Sequence, residues 1–256
     1  MTNTTPTAQF ESVTDTEVSS PTLIEGLPGL GMVAGIAVDQ ITRQLGLSHH
    51  GSIRSEAFPQ VATFANGQIR DPVRVYTGTD PDIFTLQSDF AFPPTSIPPL
   101  RDCLLHELDV EFDRAIFLVG APAETEAQIG QVRGIATTDD LEAVLWDEGI
   151  EVAADVGLIG GVTGALANAY YQAGIPTIVL IVDAHPYLPD PQAAKAVIEN
   201  AVEPLVSFDI DTTPLEEQSD QIQQQMEQMA DHLQELSAQQ SLEQFPIETG
   251  GPSMYQ

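Results

Sequence analysis

Two continuous apolar runs constrain this chain more than any other feature. They are Ala115-Ile116-Phe117-Leu118-Val119 and Pro176-Thr177-Ile178-Val179-Leu180-Ile181-Val182. A strand with one wet face alternates apolar and polar residues, whereas a strand covered on both faces is apolar almost throughout. Helical patterns lie between and after the runs. Thr138 to Asp147 reads as one helix and Ala165 to Gln172 as another. A third starts at Asp190, an N-cap residue with Pro191 at the first helical position, and runs to about Val206. Strands alternating with helices predict an α/β fold, a mainly parallel sheet sandwiched between helices with right-handed crossovers.

Upstream, the β-prone run Thr22-Leu23-Ile24 meets a glycine-rich stretch, residues 26–35. A helix should follow, because Val33, Ala37, Ile41 and Leu45 recur at i+4, with Gly46 ending it. Short strand-like pieces occupy 53–58, 61–64, 73–76 and 83–87, separated by Asn66-Gly67, Asp71-Pro72 and Asp80-Pro81 turn signals. Residues 1–20 show no periodicity and read as a flexible leader before a domain over 21–208. Residues 213–245 form a separate amphipathic helical segment. It opens on Thr213-Pro214-Leu215-Glu216, a capping box, and Ile222, Met226, Met229, Leu233 and Leu236 make an a/d seam. That stripe suits a helix that oligomerises or binds a partner, and equally one that packs back on its own sheet. Residues 246–256 are a polar tail ending in Met254-Tyr255-Gln256.

Charge narrows the setting. Lys+Arg 8 against Asp+Glu 38 gives −30, and Lys195 is the only lysine. Like charge at this density pushes a compact state apart in dilute salt. At about 1 M salt the Debye length falls to roughly 3 Å and screens the repulsion. The composition therefore predicts an acidic protein of a salt-rich, halophilic cytoplasm. Nucleic acid is not expected as a partner, since phosphates call for clustered Lys and Arg. The first 20 residues lack the basic start and apolar core of a signal peptide, and no apolar run approaches a membrane span, so a soluble cytoplasmic location is expected.

Two constellations could carry chemistry. Gly29-x-Gly31-x-x-x-Gly35 between a strand and a helix could admit a phosphate to the helix N-terminus. Pro28 intrudes, however, and no convincing ribose-binding acid follows. The competing reading is a structural glycine turn that lets the helix pack closely. Asp183 and His185 follow the second buried strand, where α/β sheets place their sites. Prolines 186, 189 and 191 also make this a stiff turn. His49, His50, His106 and His232 are scattered and read as surface residues, and lone Cys103 reads as a small helix residue. No metal or cofactor is expected.

Several segments together resemble the proteasome assembly chaperone family, in particular its archaeal members. They are residues 23–35, the Thr163-Gly164-Ala165 turn, Gly174-Ile175-Pro176, and above all residues 185–197, HPYLPDPQAAKAV. The resemblance implies a three-layer α/β/α sandwich akin to purine nucleoside phosphorylases, a non-enzymatic role and homo-oligomers. It also implies 20S proteasome α-subunits as partners, bound through a C-terminal hydrophobic-Tyr-any tripeptide that Met254, Tyr255 and Gln256 match. The alternative is a small-molecule or nucleotide-binding enzyme using the Gly29–Gly35 turn and the Asp183–His185 loop.

Overall fold

The computed structural model describes residues 7–14, 18–226 and 228. The chain divides into a unit of residues 1–216 and a second of residues 217–256. Eleven strands occur in the first unit among the described residues: β1 (Ala8–Ser12), β2 (Thr22–Gly26), β3 (Ser48–Ser55), β4 (Thr63–Ala65), β5 (Gln68–Arg70), β6 (Val73–Thr79), β7 (Asp82–Ser88), β8 (Arg114–Pro122), β9 (Val132–Ala136), β10 (Glu151–Val152) and β11 (Thr177–Ala184). Nine of them form one sheet in the order β1-β3-β6-β7-β2-β8-β11-β9-β10.

The centre of the sheet follows the expectation. Strands β7, β2, β8 and β11 are parallel, with Ile116 opposite Ile178 and Leu118 opposite Leu180. The flanks do not, because β1, β3, β6 and β7 pair antiparallel, as do β9 and β11. The sheet is therefore mixed. The two-residue turn between β6 and β7 can only join antiparallel neighbours, while β3 reaches β6 through the longer segment that carries β4 and β5. Asn66 and Gly67, both at positive φ, turn the separate β4–β5 hairpin, as that dipeptide predicts.

The helices are α1 (Val33–Gln44), α2 (Ile97–His106), α3 (Asp139–Asp147), α4 (Gly161–Ala173), α5 (Pro191–Val197) and α6 (Glu203–Val206). A π-helical turn, Ile198–Val202, joins α5 to α6. Side chains of the central strands alternate between two cores. Ile24, Ile116, Leu118, Ile178 and Leu180 pack with α1, α3 and α5. Leu23, Ala115, Phe117 and Val179 pack with α2 and α4. That double cover is why β8 and β11 are apolar throughout.

Several local expectations change. Residues 8–12, read as part of a flexible leader, form edge strand β1, and Phe10 stacks on His50. His50 is buried between Phe10 and Phe84 rather than lying on the surface. Cys103 is buried in α2, and burial pushes its thiol up to about 12. Residues 213–226 are helical. Thr213 already lies inside that helix instead of capping it, and its N–H donates to Asp211 Oδ1 at 3.0 Å. Leu215 of its first turn is buried in the core of the first unit. In the second unit Ile222 is half-buried and Met226 exposed, while Met229, Leu233 and Leu236 lie outside the described residues, as do Met254, Tyr255 and Gln256.

Candidate functional site

The carboxyl ends of β2, β8 and β11 meet where the connections leaving β2 and β8 diverge, the place where open α/β sheets build sites. A cavity of about 390 Å³ opens there. Its walls come from Pro28–Leu30 after β2, Gly120–Pro122 at the end of β8, Ile181 of β11, and Leu158–Thr163 leading into α4.

The glycine turn is built for close packing. Gly31 sits at φ +63°, a conformation that suits glycine, and its carbonyl accepts from Asp190 N–H at 2.8 Å. A Cβ on Gly120 would lie 2.3 Å from Leu30 O, so the turn rests directly on β8. A Cβ on Gly26 would lie 2.5 Å from Val38 Cβ, which sets how near α1 approaches β2. Gly35 has looser surroundings, the nearest atom being Gly26 O at 3.7 Å. Gly29, by contrast, is extended at φ −144° with nothing within 4 Å of a Cβ, and it lines the cavity.

The loop after β11 is likewise engaged in structure. Asp183 accepts from Arg133 Nη2 at 2.9 Å. Asp190 caps α5, accepting from Ala193 N at 2.9 Å and from His185 N at 2.7 Å. The His185 ring accepts Tyr187 N–H at Nδ1, 3.2 Å away. Both carboxylates thus hold the chain in place. The structure brings the Gly29–Gly35 turn and the 183–190 loop together, through the Asp190–Gly31 bond, as packing partners. Among the described residues no group of three or more His, Cys, Asp or Glu is arranged to hold a metal.

Sequence reasoning missed Glu25. It is fully buried on β2, and Thr163 Oγ1 donates to its Oε1 at 3.0 Å, while Oε2 has no partner. Burial pushes its carboxyl up to about 8; hydrogen bonds from Thr163 and the backbones of Leu118 and Leu27 pull the other way without prevailing. The signal was available. A glutamate inside a strand covered on both faces has nowhere polar to point.

The PAC2 family model matches residues 23–230, more than half of the chain. The chain belongs to the PAC2 family. Two uncharacterized proteins of Methanocaldococcus jannaschii are similar to it. One is 25% identical over 90% of this chain and 94% of its own length, and the other 27% identical over 84% of each. Among solved structures, Pyrococcus furiosus PbaA, described as an archaeal homolog of proteasome-assembly chaperone, superposes with a TM-score of 0.78 at 24% identity, over 92% of this chain and 97% of that one. Pyrococcus furiosus PbaB, described as an archaeal proteasome activator, gives 0.77 at 21% identity, over 88% and 99%. The PAC2 assignment thus rests on the family model, and the two solved structures share the fold: a large central sheet with helices.

Proposed function

We propose that this PAC2 chain is a non-catalytic binding protein of 20S proteasome α-subunits, acting in assembly or as an activator-like cap. The family match over residues 23–230 carries the reading, supported by a fold shared with an assembly-chaperone homolog and a proteasome activator. The sheet's site supports it further. Asp183 and the 185–190 loop, where an enzyme would keep free groups, spend their polar atoms on an ion pair and a helix cap. The same reading carries the kinship with the purine nucleoside phosphorylase fold, a homo-oligomer in a salt-rich cytoplasm, and a helical appendage over 213–245.

The anchor in this proposal is Met254-Tyr255-Gln256. Met254 fills an apolar slot, Tyr255 packs its ring while its hydroxyl finds a partner, and the carboxylate after Gln256 pairs with a cation of the receiving pocket. A buried aromatic anchor of this kind is a hot spot, so Tyr255→Ala costs about 2 kcal/mol or more, near thirtyfold in affinity. Surface plasmon resonance on immobilised 20S particles at fixed high salt ranks the full chain, Tyr255→Ala and a variant with one residue added after Gln256. Both variants should bind much more weakly, while Gln256→Ala is tolerated. Equal binding by all of them would remove the tail from the mechanism.

A further inference from the structure

We infer that the cavity at the carboxyl ends of β2, β8 and β11 is a binding site for a small organic carboxylate with an apolar body, a function separate from proteasome binding. Three independent observations meet there. First, the volume of about 390 Å³ lies within the range of small-molecule sites. Much of the wall is apolar, with Leu30, Leu118, Leu158, Val162 and Ile181 among its residues.

Second, one side of the cavity is rich in donors. Helix α4 starts at the wall with Gly160 as its N-cap, no side-chain cap and no acidic residue in its first turn. The N–H groups of Gly161, Val162 and Thr163 have no acceptor among the described residues. Backbone N–H groups at a helix start favour an anionic oxygen.

Third, Glu25 stands behind the same wall. Its carboxyl is fully buried and is held by Thr163, a cavity residue, with one oxygen unpartnered. A buried carboxyl without its own cation favours the neutral form. A ligand carboxylate on the cavity side of Thr163 therefore faces no like charge from Glu25. The cavity lining contains no Lys, Arg or His, so the anion is held by dipoles and hydrogen bonds. The apolar walls then favour an organic acid over a bare inorganic anion.

The test titrates hexanoate and benzoate into the full chain by calorimetry at fixed salt, beside hexanamide, benzamide and inorganic phosphate. At least one carboxylate should bind with a dissociation constant below about 1 mM. Its amide and phosphate should bind tenfold more weakly or worse. Gly29→Leu places a side chain at the cavity from an extended backbone with open space around its Cβ, so it should abolish binding. Leu158→Ser, at a residue 95% exposed and therefore safe for folding, should weaken binding several-fold. An apolar tripeptide with a free carboxyl end, compared with its amidated form, tests whether the carboxylate comes from a peptide terminus. Tighter binding of the free-ended peptide than of hexanoate keeps the chemistry and assigns it that source. No binding by any carboxylate, equal binding by the amides, or unchanged binding in both variants overturns the inference. Proteasome binding in the same samples is read separately, so failure of one proposal leaves the other standing.

Discussion

Glu25→Gln should flatten part of the pH dependence of stability. In the unfolded chain this carboxyl ionises near 4.5, and in the folded protein burial holds its proton until about pH 8. Between those values the folded state binds more protons than the unfolded state, so stability falls as pH rises. The slope is about 1.4 kcal/mol per pH unit for one group. On the order of 3 kcal/mol is therefore lost by pH 7 and about 4 kcal/mol by pH 8, above which the loss levels off near about 5 kcal/mol. Glutamine keeps the acceptor for Thr163 and removes the titration. Its N–H groups, like the O–H of the protonated acid they replace, find no partner at the Oε2 position, and the added unpaired N–H costs roughly 1–3 kcal/mol. The absolute gain is thus smaller than the lost penalty, and the pH slope is the cleaner observable. Urea unfolding of both proteins at fixed high potassium chloride from pH 5 to 9 measures it. The variant-minus-wild-type difference should grow with pH until about 8 and then hold constant. Taking the difference also cancels the titration of the other acidic residues. A difference independent of pH would refute the burial argument and place Glu25 in contact with water.

Three further outcomes are expected. Arg74 is buried and forks onto Asp89, with Nη1 to Oδ2 at 2.6 Å and Nη2 to Oδ1 at 2.9 Å; because Asp89 keeps its pair with Arg70, Arg74→Ala should cost about 2–3 kcal/mol in denaturant melts. Lysine should restore little of that, because it cannot make the fork. Tyr170 is buried with no hydrogen-bond partner for its hydroxyl, so Tyr170→Phe should be neutral or stabilising by about 1 kcal/mol; a loss of that size would reveal a hidden acceptor. With −30 formal charge the melting temperature should rise steeply from low to multimolar potassium chloride, and a salt-independent value would dismiss the halophilic reading.

What could be read from the sequence follows from whether the stabilising contact is local. The buried strands β8 and β11 announce themselves because both faces are covered, and α1 because Val33, Ala37 and Ile41 face one core. The Asp190–Pro191 start of α5 is chemistry within four residues. Strand β1 was illegible because five residues, AQFES, hold their shape only by pairing with β3 some forty positions away. Strand β9 was hidden by Gly134, which looks like a turn residue. In the fold it is a close approach, since a Cβ there would sit 2.7 Å from Leu145 Cδ1 of α3. Glycine therefore carries opposite messages at Gly67, which turns a hairpin, and at Gly134, which admits a helix onto a strand, and the chain alone does not separate them.

The same ambiguity governed the candidate site. Glycines after β2 and acids after β11 suit a phosphate and a catalytic pair as well as they suit a tight corner. The decision lies in partners remote in sequence: Asp190 with Gly31, Asp183 with Arg133, and Leu30 against Gly120. Once those polar atoms are engaged, what is left to act at this end of the sheet is the apolar cavity, the start of α4 and Glu25. A fold that engages its loop acids in structure yet keeps an uncapped helix start and a buried carboxyl behind a cavity fits the binding role proposed above.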